Sequence, residues 1–153
     1  MSGQTDVPDS LEGVVAVSAG YAHSLVLFSN GTVMDWGSDE WGEDQDSIAN
    51  SLDNVVAISA GRDHNLVLNS DGTVTVWGIN LSAYSLEPPA DLSGVVDISA
   101  GYYHNIALKS DGTIVAWGQN DYGQTDSQNF DDVVQVSACL LYTSDAGDDT
   151  PCV

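Results

Sequence analysis

The chain has 153 residues, 42% of them apolar, which is enough to build the core of one ordinary domain. Only Arg62 and Lys109 oppose 23 carboxylates, so the formal net charge is −21. This charge argues against nucleic-acid binding, because phosphate backbones are bound by clusters of Lys and Arg. No run of about eighteen apolar residues is present, so we expect no membrane-spanning segment.

The location of the protein stays open. Met1 to Asp6 contain neither a basic nor an apolar segment, so no signal peptide is expected in this stretch, while a longer protein could be secreted or displayed on a cell surface. The acid-rich, Lys-poor composition is typical of halophilic proteins, which work at high salt, and equally of an ordinary acidic surface.

One pattern recurs three times, with a period of about forty residues. Each copy contains Gly-x-x-His, an apolar run, Ser-Asn/Asp-Gly-Thr and Trp-Gly. The recurring positions are Gly20, His23, Gly31 and Trp36; Gly61, His64, Gly72 and Trp77; and Gly101, His104, Gly112 and Trp117. Such a period indicates an array of structural units, and we expect these positions to be structural.

Each unit predicts three or four antiparallel strands. The first strand is a β-branched run that begins at Val14, Val55 or Val95 and that we expect to be buried between two layers. The second begins at the repeated His and ends at Asn-Gly or Asp-Gly, which predicts a two-residue turn with both residues at positive φ. The third strand runs to the repeated Trp. We therefore predict an all-β fold, a partial β-propeller of about three blades with flanking half-units.

The register of the repeats sets the expected boundaries. They are 1–13, the tail of a preceding repeat; 14–54, 55–94 and 95–132, the three repeats; 133–138, the start of a fourth; and 139–153, a non-native tail. Residues 139–146 resemble the translation of a sequencing adapter, with a divergent C-terminal cap as the alternative. Both cysteines lie in this tail, so they say nothing about the compartment.

The repeated pattern resembles the regulator of chromosome condensation repeat family over about residues 3–138. Asn120 to Thr125 are similar to that family's Asn-x-Tyr-Gly-Gln element, whereas Asn80 to Ala83 depart from it. The resemblance implies a β-propeller, and the compact, Asp-rich units are most similar to bacterial members. It also implies several alternative functions, namely nucleotide exchange on a small GTPase, chromatin docking, light sensing or hydrolase inhibition, among which fold alone does not choose.

The sequence does not favour catalysis. The three equivalent His residues would lie on three different blades, so a structural hydrogen bond is preferred to a metal site or to acid–base chemistry. No phosphate loop, nucleophile elbow or His-Glu-x-x-His motif is present, and we expect no enzyme activity, cofactor or metal. The carboxylates within residues 39–46 leave calcium as an alternative to a solvated acidic loop.

The aromatic residues that do not repeat are the binding candidates. Trp41, Tyr84 and Tyr122 fall in variable loops, and Tyr21, Tyr102 and Tyr103 lie just before the repeated His. Tyr and Trp serve as interface anchors because they bury a large area and keep a polar group. The alternative for Tyr21 and Tyr102 is that they cap blade packing.

These features together predict a non-catalytic, protein-binding propeller module without nucleic-acid or membrane partners. The alternatives are a regulatory or sensor segment, such as part of a GTPase exchange factor or of a multidomain enzyme, and a structural, calcium-dependent surface repeat. Since three blades do not close an ordinary ring, we also expect self-association through open blade faces, or low stability at low salt.

Overall fold

The computed structural model describes residues 3–9, 11–37, 51–78, 83–126 and 133–138. All regular structure in these ranges is β-structure, and their helix content is nil. A search of these ranges found no long apolar helix of the kind that crosses a bilayer. Trp41, residues 39–46, Asn80 to Ser82 and the tail 139–153 lie outside the described residues.

The nine strands form three separate sheets, each with three antiparallel strands in chain order. The first sheet comprises β1 (Val14–Ala19), β2 (His23–Phe28) and β3 (Val33–Gly37). The second comprises β4 (Val55–Ala60), β5 (His64–Asn69) and β6 (Val74–Gly78). The third comprises β7 (Val95–Ala100), β8 (His104–Lys109) and β9 (Ile114–Gly118). The predicted array of three antiparallel units is confirmed.

The turn between the second and third strands of each sheet is placed as predicted, but its type is different. In the first sheet the Gly31 N–H donates to the Phe28 carbonyl at 2.9 Å, and the Phe28 N–H donates to the Thr32 carbonyl at 2.9 Å. Gly31 alone takes a positive φ, +83°, while Asn30 does not. The prediction of two residues at positive φ is therefore wrong: this is a three-residue loop with glycine in the left-handed position.

The side chain before the glycine explains that choice. The Asn30 Oδ1 accepts hydrogen bonds from the Thr32 N–H at 3.1 Å and from the Thr32 hydroxyl at 2.7 Å. Asp71 holds Thr73 in the same way, at 3.0 and 2.6 Å. These side-chain bonds stabilise the loop without a second residue at positive φ.

The first strands are not buried on both sides, contrary to the prediction. A β-bulge near the start of β1, β4 and β7 removes the second valine from the pairing register. Val15, Val56 and Val96 consequently point outward and are more than half exposed. A bulge re-aims one side chain, which an alternation count along the sequence does not reveal.

The hydrophobic core lies in the two seams between neighbouring sheets. Leu25, Leu27 and Val33 of the first sheet pack against Val55 and Trp77 of the second. A second cluster joins the second and third sheets in the same way, and it contains Leu66, Leu68, Val76, Val95, Ile98, Ala100, Ala107 and Trp117. Each sheet therefore supplies half of its neighbour's core, as expected for stacked repeats.

A hydrogen bond that joins the first strands recurs at each seam. The Ala60 N–H donates to the Ser18 hydroxyl at 2.9 Å, and the Ala100 N–H donates to the Ser59 hydroxyl at 2.9 Å. The Ala138 N–H donates to the Ser99 hydroxyl at 2.8 Å. Residues 133–138 thus lie on the third sheet as the first strand of a further unit would.

Candidate functional site

The repeated histidines join neighbouring sheets. The His23 Nε2 lies 2.8 Å from the Asn65 Oδ1, and the His64 Nε2 lies 2.8 Å from the Asn105 Oδ1. Both pairs link the second strands of adjacent sheets. These two histidines thus make hydrogen bonds of the structural kind expected, and in each case the partner is an asparagine on the second strand of the next sheet.

A tight turn holds each histidine. The Gly61 N–H donates to the His64 carbonyl at 2.8 Å, and a Cβ at position 61 would lie 2.3 Å from the His64 Cε1 and 2.8 Å from the Gly101 carbonyl oxygen. The side chain of any other residue would clash with the buried imidazole and with the adjacent backbone. The two residues between this glycine and the histidine, Arg62 and Asp63, keep 27% and 14% of their side chains accessible.

Burial keeps the central imidazole neutral. His64 is almost fully buried, and this desolvation lowers its pKa to about 4, against the raising effect of the hydrogen bond that its Nε2 makes to the Asn105 Oδ1. Burial also lowers the pKa of His104. Among the described residues, no group of three or more His, Cys, Asp or Glu side chains is arranged to hold a metal ion.

The strand order gathers all the Gly-x-x-His turns at one edge of the array, which we call the turn edge (residues 20–23, 61–64 and 101–104). The loops between second and third strands lie at the opposite edge, which we call the hairpin edge. The segments that leave each third strand start from the turn edge as well, and Tyr84 belongs to one of them. Residues distant in sequence are therefore neighbours there.

Four tyrosines and one arginine meet at the turn edge, and we call this group the Arg62 cluster. The Arg62 Cζ lies 4.5 Å from the centroid of the Tyr102 ring, 5.1 Å from that of Tyr103 and 5.5 Å from that of Tyr21. These distances are in the range of cation–π attraction. Tyr84 joins through Tyr103, with ring centroids 3.8 Å apart and planes inclined by 15°.

The cluster is locally compensated in charge. The Arg62 Nε lies 3.3 Å from the Asp63 Oδ2, yet it makes no aligned hydrogen bond in the described structure. The contact is therefore an ion pair without a directional bond. About a quarter of the Arg62 side chain remains accessible. The cluster therefore presents one exposed and three partly exposed tyrosine rings around one paired guanidinium group.

The sequence profile of the "Regulator of chromosome condensation (RCC1) repeat" matches residues 14–43, 55–82 and 95–124, more than half of the chain. The chain belongs to the RCC1 repeat family. The three matches coincide with the three sheets. A search of curated proteins by sequence gave no match.

Solved structures support the same fold for this RCC1-repeat chain. Yeast RCC1 (Prp20), solved bound to Kap60, is 27% identical with a TM-score of 0.58, and Prp20p from Saccharomyces cerevisiae is 28% identical with a TM-score of 0.59. The matches cover 73% of this chain but only 31% and 32% of those chains. The chain thus spans about a third of the length of yeast RCC1.

A more distant structure agrees on fold alone. The CRINKLY WD40 ectodomain of the Arabidopsis thaliana receptor kinase ACR4 is 19% identical, with a TM-score of 0.61. That match covers 83% of this RCC1-repeat chain and 43% of the ectodomain. The predicted resemblance and the predicted propeller fold are confirmed.

The structure brings together four of the six binding candidates of this RCC1-repeat chain. Tyr21, Tyr84, Tyr102 and Tyr103 all belong to the Arg62 cluster. Tyr122 lies in a separate turn after β9, where its N–H donates to the Gln124 Oε1 at 2.9 Å. The sixth candidate, Trp41, is outside the described residues. The role of all six in binding stays a prediction.

The repeated tryptophans differ in burial along the array. Trp77 and Trp117 are buried in the two seams, as predicted. Trp36 is only partly buried, although its Nε1–H donates to the Gln4 carbonyl at 3.1 Å. Trp77 and Trp117 each lie between two sheets, whereas the described residues place no further sheet on the side of the first sheet that carries Trp36.

Sequence reasoning missed Arg62. The signal was present, because Tyr21, Arg62 and Tyr102 occupy the same position of the Gly-x-x-His turn in successive units. Equivalent positions of adjacent repeats are neighbours in space, so the alignment alone places the arginine between two tyrosines. The contacts of Arg62 with three tyrosines become visible only when the three turns are seen side by side in the fold.

Proposed function

We propose that this RCC1-repeat chain is a non-catalytic module that binds another protein through the Arg62 cluster. The observation that carries the proposal is the convergence of Tyr21, Tyr102 and Tyr103 on Arg62, at distances of 4.5 to 5.5 Å. Binding residues are typically carried by connections on a rigid scaffold. The stacked sheets provide such a scaffold beneath the turn edge.

The chemistry of the cluster suits a protein interface. Tyrosine buries much area at low entropic cost, and Tyr, Trp and Arg are the commonest hot-spot residues. The stacking of Tyr84 on Tyr103 limits the freedom of both rings before a partner arrives. Tyr21 is 68% exposed and so offers the largest free area in the cluster.

The engagement of the histidines supports a role without catalysis. The Nε2 atoms of His23 and His64 are committed to Asn65 and Asn105, and His64 is nearly inaccessible. A general base needs to reach substrate with a pKa near the working pH, whereas the pKa of His64 is lowered to about 4 by burial. These imidazoles are suited to hold blades together.

The charge of the chain favours a partner with a basic surface. A net charge of −21 attracts cations over several ångströms and accelerates their encounter at low ionic strength. The structure of Prp20p was described together with its binding to Gsp1p and histones, and yeast RCC1 was solved bound to Kap60. Protein binding by those relatives supports the same class of function here.

The experiment begins with capture of a partner on the immobilised chain, identification by mass spectrometry, and measurement of Kd with the purified partner. Tyr21→Ala and Arg62→Ala are each expected to weaken binding by about 30-fold, the effect of a hot-spot residue. Tyr122→Ala is the comparison variant, because Tyr122 is equally exposed, at 68%, but lies outside the cluster; a loss of affinity there alone would assign binding to the turn after β9. Unchanged affinity in both cluster variants would contradict the proposal.

A second candidate is a segment of a nucleotide-exchange factor. It is favoured by the 27% and 28% identity to yeast RCC1, although the chain spans about a third of that protein. The test is release of a labelled guanine nucleotide from a purified small GTPase in the presence of this chain. Acceleration that Arg62→Ala abolishes would favour exchange, and binding without acceleration would favour the simpler module.

A further inference from the structure

The three hairpin loops differ at a position that carries chemistry. The residue before the loop glycine is Asn30 in the first unit, whereas Asp71 and Asp111 take this place in the other two. Asn30 is also the only asparagine of the sequence that is followed by glycine. Because glycine has no side chain to hinder its backbone nitrogen, this nitrogen can attack the preceding asparagine side chain more readily than that of any other residue.

The first loop holds the side chain of Asn30 in a defined position. Asn30 is exposed, and its Oδ1 accepts hydrogen bonds from the Thr32 N–H at 3.1 Å and from the Thr32 hydroxyl at 2.7 Å. Both donors therefore point at the oxygen on which negative charge develops when a nucleophile attacks the Asn30 Cγ. Donors placed in this way lower the barrier to attack, as in an oxyanion hole.

We propose that Asn30 deamidates spontaneously in the folded chain, assisted by Thr32, and that the loop accepts the aspartate that forms. Water is the second reactant, and no enzyme is needed. The site lies at the hairpin edge, away from the Arg62 cluster, so the proposal does not rest on the proposed function.

The reaction is a cyclisation followed by hydrolysis. The Gly31 nitrogen loses its proton and attacks the Asn30 Cγ, and the Nδ2 group takes up a proton and leaves as ammonia. Water then opens the resulting five-membered imide at either of its two carbonyls, which gives aspartate or isoaspartate. The Gly31 N–H donates to the Phe28 carbonyl at 2.9 Å, so this bond opens before the attack. The bonds from Thr32 to Asn30 do not involve Phe28.

The other two units show how the loop holds the product. The Asp71 Oδ1 accepts from the Thr73 N–H at 3.0 Å and from the Thr73 hydroxyl at 2.6 Å, and the Asp111 Oδ1 accepts from the Thr113 N–H at 2.9 Å. The hydrogen bonds from Thr73 also lower the pKa of the Asp71 carboxyl, so this loop favours the charged form. Conversion of Asn30 to aspartate therefore makes the first loop like its copies.

Asn120 provides a comparison within the same chain. It is exposed as well, and its Oδ1 accepts a hydrogen bond from the Thr125 N–H at 2.9 Å. However, Asp121 follows it, and a side chain at this place hinders the attacking nitrogen. The Asn120 Nδ2, which would have to leave, donates to the Asp126 Oδ1 at 2.8 Å. Asn120 is therefore expected to react more slowly than Asn30.

Incubation of the full chain at mildly alkaline pH, followed over time by anion-exchange chromatography, tests the site. Each deamidation adds one negative charge, and fragmentation mass spectrometry locates the residue. We expect Asn30 to react several-fold faster than Asn120. The side chain of the Asn30→Gln variant is too long to close the same ring, so this variant is expected to lose the main change in charge. An aged wild-type chain that gains charge at other asparagines but not at Asn30 would overturn the proposal.

Two substitutions of Thr32 separate the effect of the loop from that of the Asn-Gly pair. Thr32→Val removes the hydroxyl donor at nearly constant shape, and the rate at Asn30 is expected to fall about fivefold, the effect of one ordinary hydrogen bond. Thr32→Ser keeps the hydroxyl and is expected to react like the wild type. In urea, where the loop is lost, all three chains are expected to react at the same rate. Equal rates of the folded wild type and Thr32→Val would overturn the assistance by Thr32, and a difference that persists in urea would do the same.

The Asn30→Asp variant tests whether the loop accepts the product. It is expected to melt at the temperature of the wild type, because aspartate already occupies this position in the other two loops. It is also expected to co-elute with the aspartate form of the aged wild-type chain. Circular dichroism of all four variants checks that the fold is retained. A clearly lower melting temperature of Asn30→Asp would overturn the claim that the loop accepts aspartate.

Discussion

The seams between the sheets and the turn edge use the repeat in opposite ways. At the seams, the same residue types recur and make the same contacts, as in the His23–Asn65 and His64–Asn105 pairs. At the turn edge, the position next to the repeated glycine holds Tyr21 in the first unit and Arg62 in the second. The same three sheets therefore carry the repeated contacts at the seams and the varied side chains at the turn edge.

This difference separates the scaffold from the proposed binding surface. A contact that recurs at each seam is required by every sheet, since each sheet buries its neighbour's core. A position whose side chain changes from unit to unit is free of that requirement, and its side chains can form a composite surface such as the Arg62 cluster. Changes at the seams should therefore affect stability, and changes at the edge should affect binding.

The largest expected effect is at a seam tryptophan. Trp77→Ala empties a site that is 1% exposed and is expected to lower the free energy of unfolding by about 3–5 kcal/mol. Trp36→Ala, at the same repeat position, is expected to cost clearly less because Trp36 is only partly buried. Urea denaturation of both variants measures the difference, and equal losses would show that the first sheet is packed like the others.

The next effect is a pH dependence that originates at the second seam. Burial lowers the pKa of His64 from its ordinary value of 6.5 to about 4. Between pH 6.5 and pH 4 the unfolded chain therefore binds a proton that the folded chain does not. The free energy of unfolding is therefore expected to fall as the pH is lowered from about 6.5 to about 4, by about 3 kcal/mol in total. His64→Gln removes this component while keeping an N–H donor. A wild-type pH profile that parallels the His64→Gln profile would contradict the account.

The propeller architecture was predictable from the sequence because it depends on residues that recur. Gly61 lies in a tight turn, Gly72 in a hairpin loop and Trp77 in the core, and their regular spacing in the sequence indicates these positions. The hairpins are found at the Asp-Gly pairs. The loop type was not predictable from the dipeptide alone, since the bond from Thr73 to Asp71 replaces a second left-handed residue. The outward turn of Val15 depends on a bulge in the pairing with β2, which is a property of two strands.

The candidate site was predictable only in part. The tyrosines were found because their type is typical of interfaces, whereas Arg62 looked like a lone charge in an acidic chain. Its role depends on distances between three sheets, and those follow from the stacking rather than from any one unit. Candidate residues within one repeat are therefore easier to find from the sequence than a cluster that side chains of several adjacent repeats form.

A smaller effect compares two hairpin glycines with the same backbone conformation. Gly112 has a φ of +84° with open space around a Cβ, so Gly112→Ala is expected to cost about 1–2 kcal/mol through backbone strain alone. Gly31 has a φ of +83°, but a Cβ there would lie 2.6 Å from the Asp53 carbonyl oxygen. Gly31→Ala should therefore be the more destabilising of the two in thermal melts; the reverse order would refute the close approach of the backbone at Asp53.

The smallest expected change in stability is at the turn edge. Arg62→Ala removes cation–π contacts of a partly exposed side chain, and the free energy of unfolding is expected to fall by only about 1 kcal/mol. Arg62→Lys is the matched control, because it keeps the charge but loses the planar group that stacks on the rings. Denaturation of both variants is the measurement, and a loss as large as that of Trp77→Ala would place Arg62 with the scaffold.

Hydrogen–deuterium exchange of the chain with and without its captured protein partner tests the central claim most directly. The account predicts added protection at the turn edge, in residues 20–23, 61–64 and 101–104, and none at the hairpin edge, in residues 29–32, 70–73 and 110–113. Protection confined to the hairpin edge would contradict the assignment of binding to the Arg62 cluster.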